Sequence, residues 1–86
     1  MTKKVDFRSI GVENVERKIE TIDVSKNLGN QIYMQAQTID VRDFGRKIFE
    51  EGQVEVDGEQ ELIIRRIIMN WPLVLREGIE KTLNDD

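Results

Sequence analysis

The feature that most constrains this chain is a change of hydrophobic period near residue 23. Upstream of it, Val5, Phe7 and Ser9 alternate with Asp6, Arg8 and Ile10, and Val15, Arg17, Ile19 and Thr21 alternate with Glu16, Lys18, Glu20 and Ile22. Period two is the signature of extended strands, and Gly11-Val12-Glu13-Asn14 between the two runs reads as the turn of a hairpin. Charged residues fall between the apolar ones, so such a hairpin packs on one side only and needs a helical layer for cover.

Downstream the period is helical. From Asp23 or Ser25, both good N-caps, Val24, Leu28, Ile32, Ala36 and Ile39 recur at spacings of four and three. Gly29 sits beside this stripe, where it either admits a second helix closely or weakens its own by up to about 1 kcal/mol relative to alanine. Tyr33 and Met34 project away from the stripe. A second helix is predicted to open at Asp40, with Asp43 in its first turn and Val41, Phe44, Gly45, Ile48 and Phe49 on one face. Gly52 supplies a left-handed stop, and Val54-Glu55-Val56 suits a short third strand beside the hairpin. Asp57 followed by Gln60 forms a capping box for a third helix through Leu62–Met69. Trp71-Pro72 opens a last helix, with proline at its first position, Leu75, Ile79 and Leu83 as its stripe, and a fraying acidic tail, Asn84-Asp85-Asp86.

These elements predict one small α+β domain over residues 1–86: an N-terminal hairpin plus a short third strand, packed against about four helices. Val5, Phe7, Ile19, Leu28, Ile32, Phe44, Ile48, Ile64, Ile67, Ile68, Leu75 and Ile79 form its expected core. Isoleucine, leucine, valine and phenylalanine are frequent enough for the chain to fold, although a domain of 86 residues has a thin core and modest stability.

Composition removes whole classes of chemistry. The chain has no cysteine and no histidine, so disulfides, thiolate nucleophiles, imidazole bases, ordinary zinc sites and cysteine-ligated clusters are excluded. Lys3 and Lys4 are followed by Val5-Asp6-Phe7-Arg8 rather than by the apolar run of a secretory signal, and no uncharged stretch reaches membrane-spanning length, so a cytoplasmic location without membrane association is expected. The acidic residues Asp40, Asp43, Glu50, Glu51, Glu55, Asp57, Glu59 and Glu61 lack both the calcium-loop pattern and any accompanying nucleophile, oxyanion donor or cofactor motif. The expectation is therefore a protein that is not an enzyme, with no catalytic residue, cofactor or metal.

Two surfaces remain as candidates. Arg42, Arg46 and Lys47 on the second helix, with Arg65 and Arg66 on the third, form a candidate nucleic-acid face. Nearby carboxylates (Asp43 to Lys47, Glu61 to Arg65, Arg46 to Glu50) and a net charge of −4 favour instead a solvated, self-neutralised surface. The third helix is more informative. At 100° per residue Ile63, Ile64, Ile67, Ile68 and Trp71 cover one arc, while Leu62 and Met69 lie on another bounded by Arg65 and Arg66. Such a helix is either sandwiched between neighbours or lends its second side to another chain. Leu73 points away from the Leu75–Ile79–Leu83 stripe, so Leu62, Met69 and Leu73 form a candidate interface for a protein partner or for self-association.

Across Asp23-Val24-Ser25-Lys26-Asn27-Leu28-Gly29-Asn30-Gln31-Ile32-Tyr33, and again across Ile48-Phe49-Glu50-Glu51-Gly52-Gln53-Val54-Glu55-Val56-Asp57, the chain resembles small uncharacterised proteins encoded by bacterial prophages and related mobile elements. The resemblance implies a bacterial accessory, assembly or regulatory protein and carries no catalytic motif with it. The reading that follows is a non-enzymatic interaction module, with a nucleic-acid-binding regulator as the alternative.

Overall fold

In the computed structural model, which describes residues 2–84, the chain is α+β, with its strands in two antiparallel ribbons rather than in one hairpin with a third strand beside it. The first strand, β1 (Lys3–Asp6), ends at the Phe7–Ser9 break. It is followed by β2 (Ile10–Glu13) and β3 (Ile19–Ile22). Helices α1 (Ser25–Gln35) and α2 (Ile39–Glu51) come next, then β4 (Gln53–Val56), α3 (Gly58–Ile67), a 3-10 turn (Ile68–Asn70) and α4 (Leu73–Asn84). Asp85 and Asp86 of the acidic tail lie outside the described residues.

The hairpin is β2 with β3, registered by Ile10 opposite Ile22 and Val12 opposite Glu20. Its turn is Asn14–Lys18, not Gly11–Asn14. The Asn14 carboxamide oxygen accepts from the backbone of Glu16 (2.9 Å) and Lys18 (3.0 Å), and Arg17 takes the left-handed conformation that closes the loop (φ 64°). Gly11 lies inside β2 because α4 crosses there: a β-carbon on Gly78 would stand 2.6 Å from the Gly11 carbonyl oxygen. The predicted third strand exists as β4, but its partner is β1, with Val5 opposite Val54 and Lys3 opposite Val56.

Ile10, Val12, Val5, Val54 and Val56 line the core with Phe7, the α-helices contribute Leu28, Ile32, Phe44, Ile48, Ile64, Ile67, Ile79 and Leu83, and the corner between α3 and α4 adds Ile68 and Trp71. Two residues expected in the core depart from it. Ile19 is 64% exposed, because the hairpin register sets it opposite Glu13 on the face turned away from Ile10 and Val12; Leu75 is only half-buried at the margin. Sequence reasoning left Ile10, Val12, Val24, Val54, Val56, Trp71 and Leu83 out of the core, which is where the structure puts them.

Helix ends follow local chemistry with small shifts. Asp23 does not cap α1 directly; its carboxylate accepts from the Ser25 hydroxyl (2.6 Å) and backbone N–H (2.9 Å), and Val24 occupies the cap position. Thr38 caps α2 by accepting from the Val41 N–H, so the helix opens at Ile39, one residue before Asp40, and Ile39 is exposed. Gly52 ends it at φ 75°. Pro72 directly precedes α4, its carbonyl accepting from the Arg76 N–H at 3.0 Å, rather than standing inside the first turn.

Two hydrogen-bonded carboxylates, Asp23 on Ser25 and Asp6 on Arg8, carry a pH dependence. Hydrogen bonds from Ser25 hold the Asp23 carboxyl below the ordinary aspartate range, and those from the Arg8 backbone and guanidinium do the same for Asp6. A folded-state value below the unfolded one gives stability that is present above about pH 3.9 and is lost as the pH falls through the folded values. Melting temperature is therefore expected to drop on acidification in that window, with a shallower drop in Asp23→Ala. A variant with an unchanged acid limb would remove Asp23 from the account.

Candidate functional site

The third helix is set by its own sequence at both ends. Asp57 accepts from the Gln60 N–H (2.8 Å), and the Gln60 side chain accepts in return from the Asp57 N–H (3.0 Å), completing the capping box. Glu59 and Glu61 occupy the first turn and Arg65 and Arg66 the last, so the charges complement the helix dipole at each end. Ile64, Ile67 and Ile68 are buried on one side.

On the opposite side, Leu62 and Arg66 lie about 40° apart at helical spacing, and Met69 follows in the 3-10 turn. All three are exposed, Leu62 and Met69 at 64% each. The helix is therefore not sandwiched: its second apolar arc faces solvent. Beyond the corner Leu73 (58%) and Val74 (46%) are exposed as well, Val74 lining a groove with Gly11, Glu13 and Ile19 of the hairpin. That corner is rigidly tied, since the Trp71 indole N–H donates to Gln31 Oε1 on α1 (3.1 Å) and the Arg76 guanidinium donates to the Met69 carbonyl (2.9 Å). Val74 was not among the sequence candidates. Its position 100° from Leu75 was the available signal, because one step off the Leu75–Ile79–Leu83 stripe leads out of the core.

The basic residues do not form one surface. Arg46 lines a groove of about 250 Å³ between α1 and α2, stacked 5.5 Å from the Tyr33 ring centroid and donating to its hydroxyl (3.3 Å), a bond that raises the arginine's pKa. Lys47 lines a different groove, about 460 Å³, in the company of Asp40, Asp43, Glu55, Asp57 and Glu59. Arg42 lies 3.5 Å from Asp43. Arg65 is held by Glu61 (2.9 Å), Asn84 (2.7 Å) and Glu80 (3.8 Å). Of the five, Lys47 and Arg66 are exposed with no hydrogen-bond or salt-bridge partner among the described residues, and of these two Arg66 alone does not line the acidic groove.

The second groove runs between α2, β4 and α3 over Val41, Phe44 and Ile63, and its five carboxylates against one lysine equal the chain's formal net charge of −4. Among the described residues, no group of three or more metal-ligating side chains is arranged to hold an ion. Every buried side-chain nitrogen or oxygen among them is hydrogen-bonded, and no helix is long and apolar enough to cross a membrane. Comparison with protein-family models, curated proteins and solved structures finds no match for this chain.

Proposed function

We propose that this protein is a non-enzymatic protein-interaction module that works through the outward face of α3 and the corner leading into α4. The carrying observation is the run of exposed apolar side chains Leu62, Met69, Leu73 and Val74 on a segment whose other side is fully committed to the core. Single exposed leucines are ordinary on a small protein, but a strip over successive turns is a surface that gains by being covered. Each such side chain contributes about 1.5–3 kcal/mol when transferred fully from water.

The resemblance of residues 23–33 and 48–57 to proteins of bacterial prophages and mobile elements supports a role as an assembly or regulatory factor in that setting. The dispersal of Arg42, Arg46, Lys47 and Arg65 among carboxylates and an aromatic ring favours this reading over nucleic-acid binding.

The test is affinity capture from the native cell, comparing wild type, Leu62→Glu and a control at the hairpin tip, Val15→Ser. A complex retained by the control and reduced at least about tenfold by Leu62→Glu is expected. Salt-sensitive nucleic acid in place of a protein complex, or turnover of a small molecule with no Leu62-dependent complex, overturns the proposal.

A further inference from the structure

The charges on α3 say what covers it. Its outward face carries Glu59 in the first turn, Leu62 next and Arg66 in the last turn, with Met69 following in the 3-10 turn, all exposed. Glu59 and Arg66 are seven residues apart, two turns along one side, and neither enters a salt bridge among the described residues. Their neighbours Glu61 and Arg65 are already bonded to each other at 2.9 Å. The face is thus an apolar centre with one free negative charge before it and one free positive charge after it.

That pattern is self-complementary in one orientation only. Building on the interaction surface proposed above, we propose that its occupant is a second copy of this chain, with the two α3 helices antiparallel across a two-fold axis passing beside Leu62. Glu59 of each copy then faces Arg66 of the other, and the two Leu62 side chains meet at the centre. A parallel pair sets Glu59 against Glu59 and Arg66 against Arg66. An antiparallel pair shifted to bring Leu62 onto Met69 crowds the Arg65 and Arg66 side chains of both copies together. Like-charge contacts oppose both alternatives.

The acidic groove reinforces the chosen register. Glu59 stands on its rim beside Asp57, Asp40, Asp43 and Glu55, so Arg66 of the second copy arrives at a groove lined by five carboxylates and one lysine. Met69 lies beyond the N-terminal end of the facing α3 in this register and contributes at the margin rather than at the centre. A pair of ten-residue helices makes a small interface, so the dimer is weak and salt-sensitive.

Sedimentation equilibrium over a wide concentration range, on wild type, Glu59→Arg, Arg66→Glu and an equimolar mixture of the two variants, tests this. The wild type is expected to dimerise. Each single variant should weaken its own dimer at least about tenfold, because both two-fold-related contacts become repulsive. The mixture should recover a heterodimer, in which glutamate again faces arginine at both ends. Circular dichroism melts establish that the variants are folded, and Glu59→Gln with Arg66→Gln gives a neutral pair should either charge reversal unfold. A wild type that stays monomeric at high concentration overturns the second copy as occupant, even if Leu62-dependent capture of another protein persists. A wild-type dimer indifferent to both single variants, or single variants that fail to recombine, overturns the antiparallel register.

Discussion

Gly29→Ala is expected to lower the melting temperature by about 10 °C or more, although alanine is the better helix former by about 1 kcal/mol. At Gly29 a β-carbon would stand 2.6 Å from the Phe49 backbone nitrogen, 2.7 Å from the Gly45 carbonyl oxygen and 2.9 Å from the Phe49 α-carbon. At Gly45 it would meet the Tyr33 nitrogen at 2.7 Å and the Gly29 oxygen at 2.8 Å. These are backbone atoms of the facing helix, so no side-chain rotation relieves the clash and α1 must move away from α2. Leu28, Ile32, Phe44 and Ile48 are buried around this crossing and lose packing together. Overpacking of this kind costs about 3 kcal/mol, leaving a net loss of about 2 after the propensity gain. Gly58→Ala is the internal control: nothing lies within 4 Å of its added β-carbon, and a stabilisation of about 0.5 kcal/mol is expected. A Gly29→Ala protein as stable as wild type would show that the helices cross elsewhere.

Glutamate placed on opposite sides of α3 is expected to give opposite results. Ile67 is buried among core residues, so Ile67→Glu puts an ionised carboxylate where no cation is positioned to pair with it. The cost is about 4 kcal/mol or more, comparable with the whole stability of a small domain at the low end of about 5 kcal/mol, and the variant should be largely unfolded at neutral pH. Burial raises the pKa of such a carboxyl, so the penalty is absent below the unfolded value of about 4.3 and develops as the pH rises toward the raised one. Partial refolding on mild acidification is the accompanying sign. Leu62→Glu, one and a half turns back and exposed, should leave the fold intact, with a melting temperature within a few degrees of wild type, about 0.5 kcal/mol at most. Unfolding of Leu62→Glu in a monomeric sample would mean that this side of α3 is covered within the chain, and the interaction surface would lose its basis.

The contrast between these two residues marks where sequence reading stops. Elements specified by residues within about four positions of one another were legible: the Asp57–Gln60 box, the Gly52 stop, the Leu28–Ile32 and Phe44–Ile48 stripes, and hence an α+β chain with helices in the right places. Capping, turn chemistry and helical period are local interactions, and the amino-acid order states them directly. Leu62, Met69 and Leu73 were also picked out locally, by lying off their helices' apolar arcs. What period two does not state is which strand pairs with which. Val5 finds Val54 across 49 residues of chain, and the Ile19 pattern, alternating as regularly as a buried strand, sits on the outer face because the Asn14–Lys18 turn fixed its register.

The grouping of charge was equally hidden. Arg65 reaches Glu80 and Asn84 on α4, Arg46 and Lys47 diverge into different grooves, and five carboxylates from three elements converge on one of them. The sequence by itself determined the four helices, the Asp57–Gln60 cap, the Gly52 stop and the two apolar sides of α3, since each follows from neighbours along the chain. Only the tertiary structure decided that one of those sides is core and the other is open, because burial depends on which distant surfaces close over a helix, and the docking of α1, the 3-10 corner and α4 closes over Ile64, Ile67 and Ile68 while leaving Leu62 and Met69 in water.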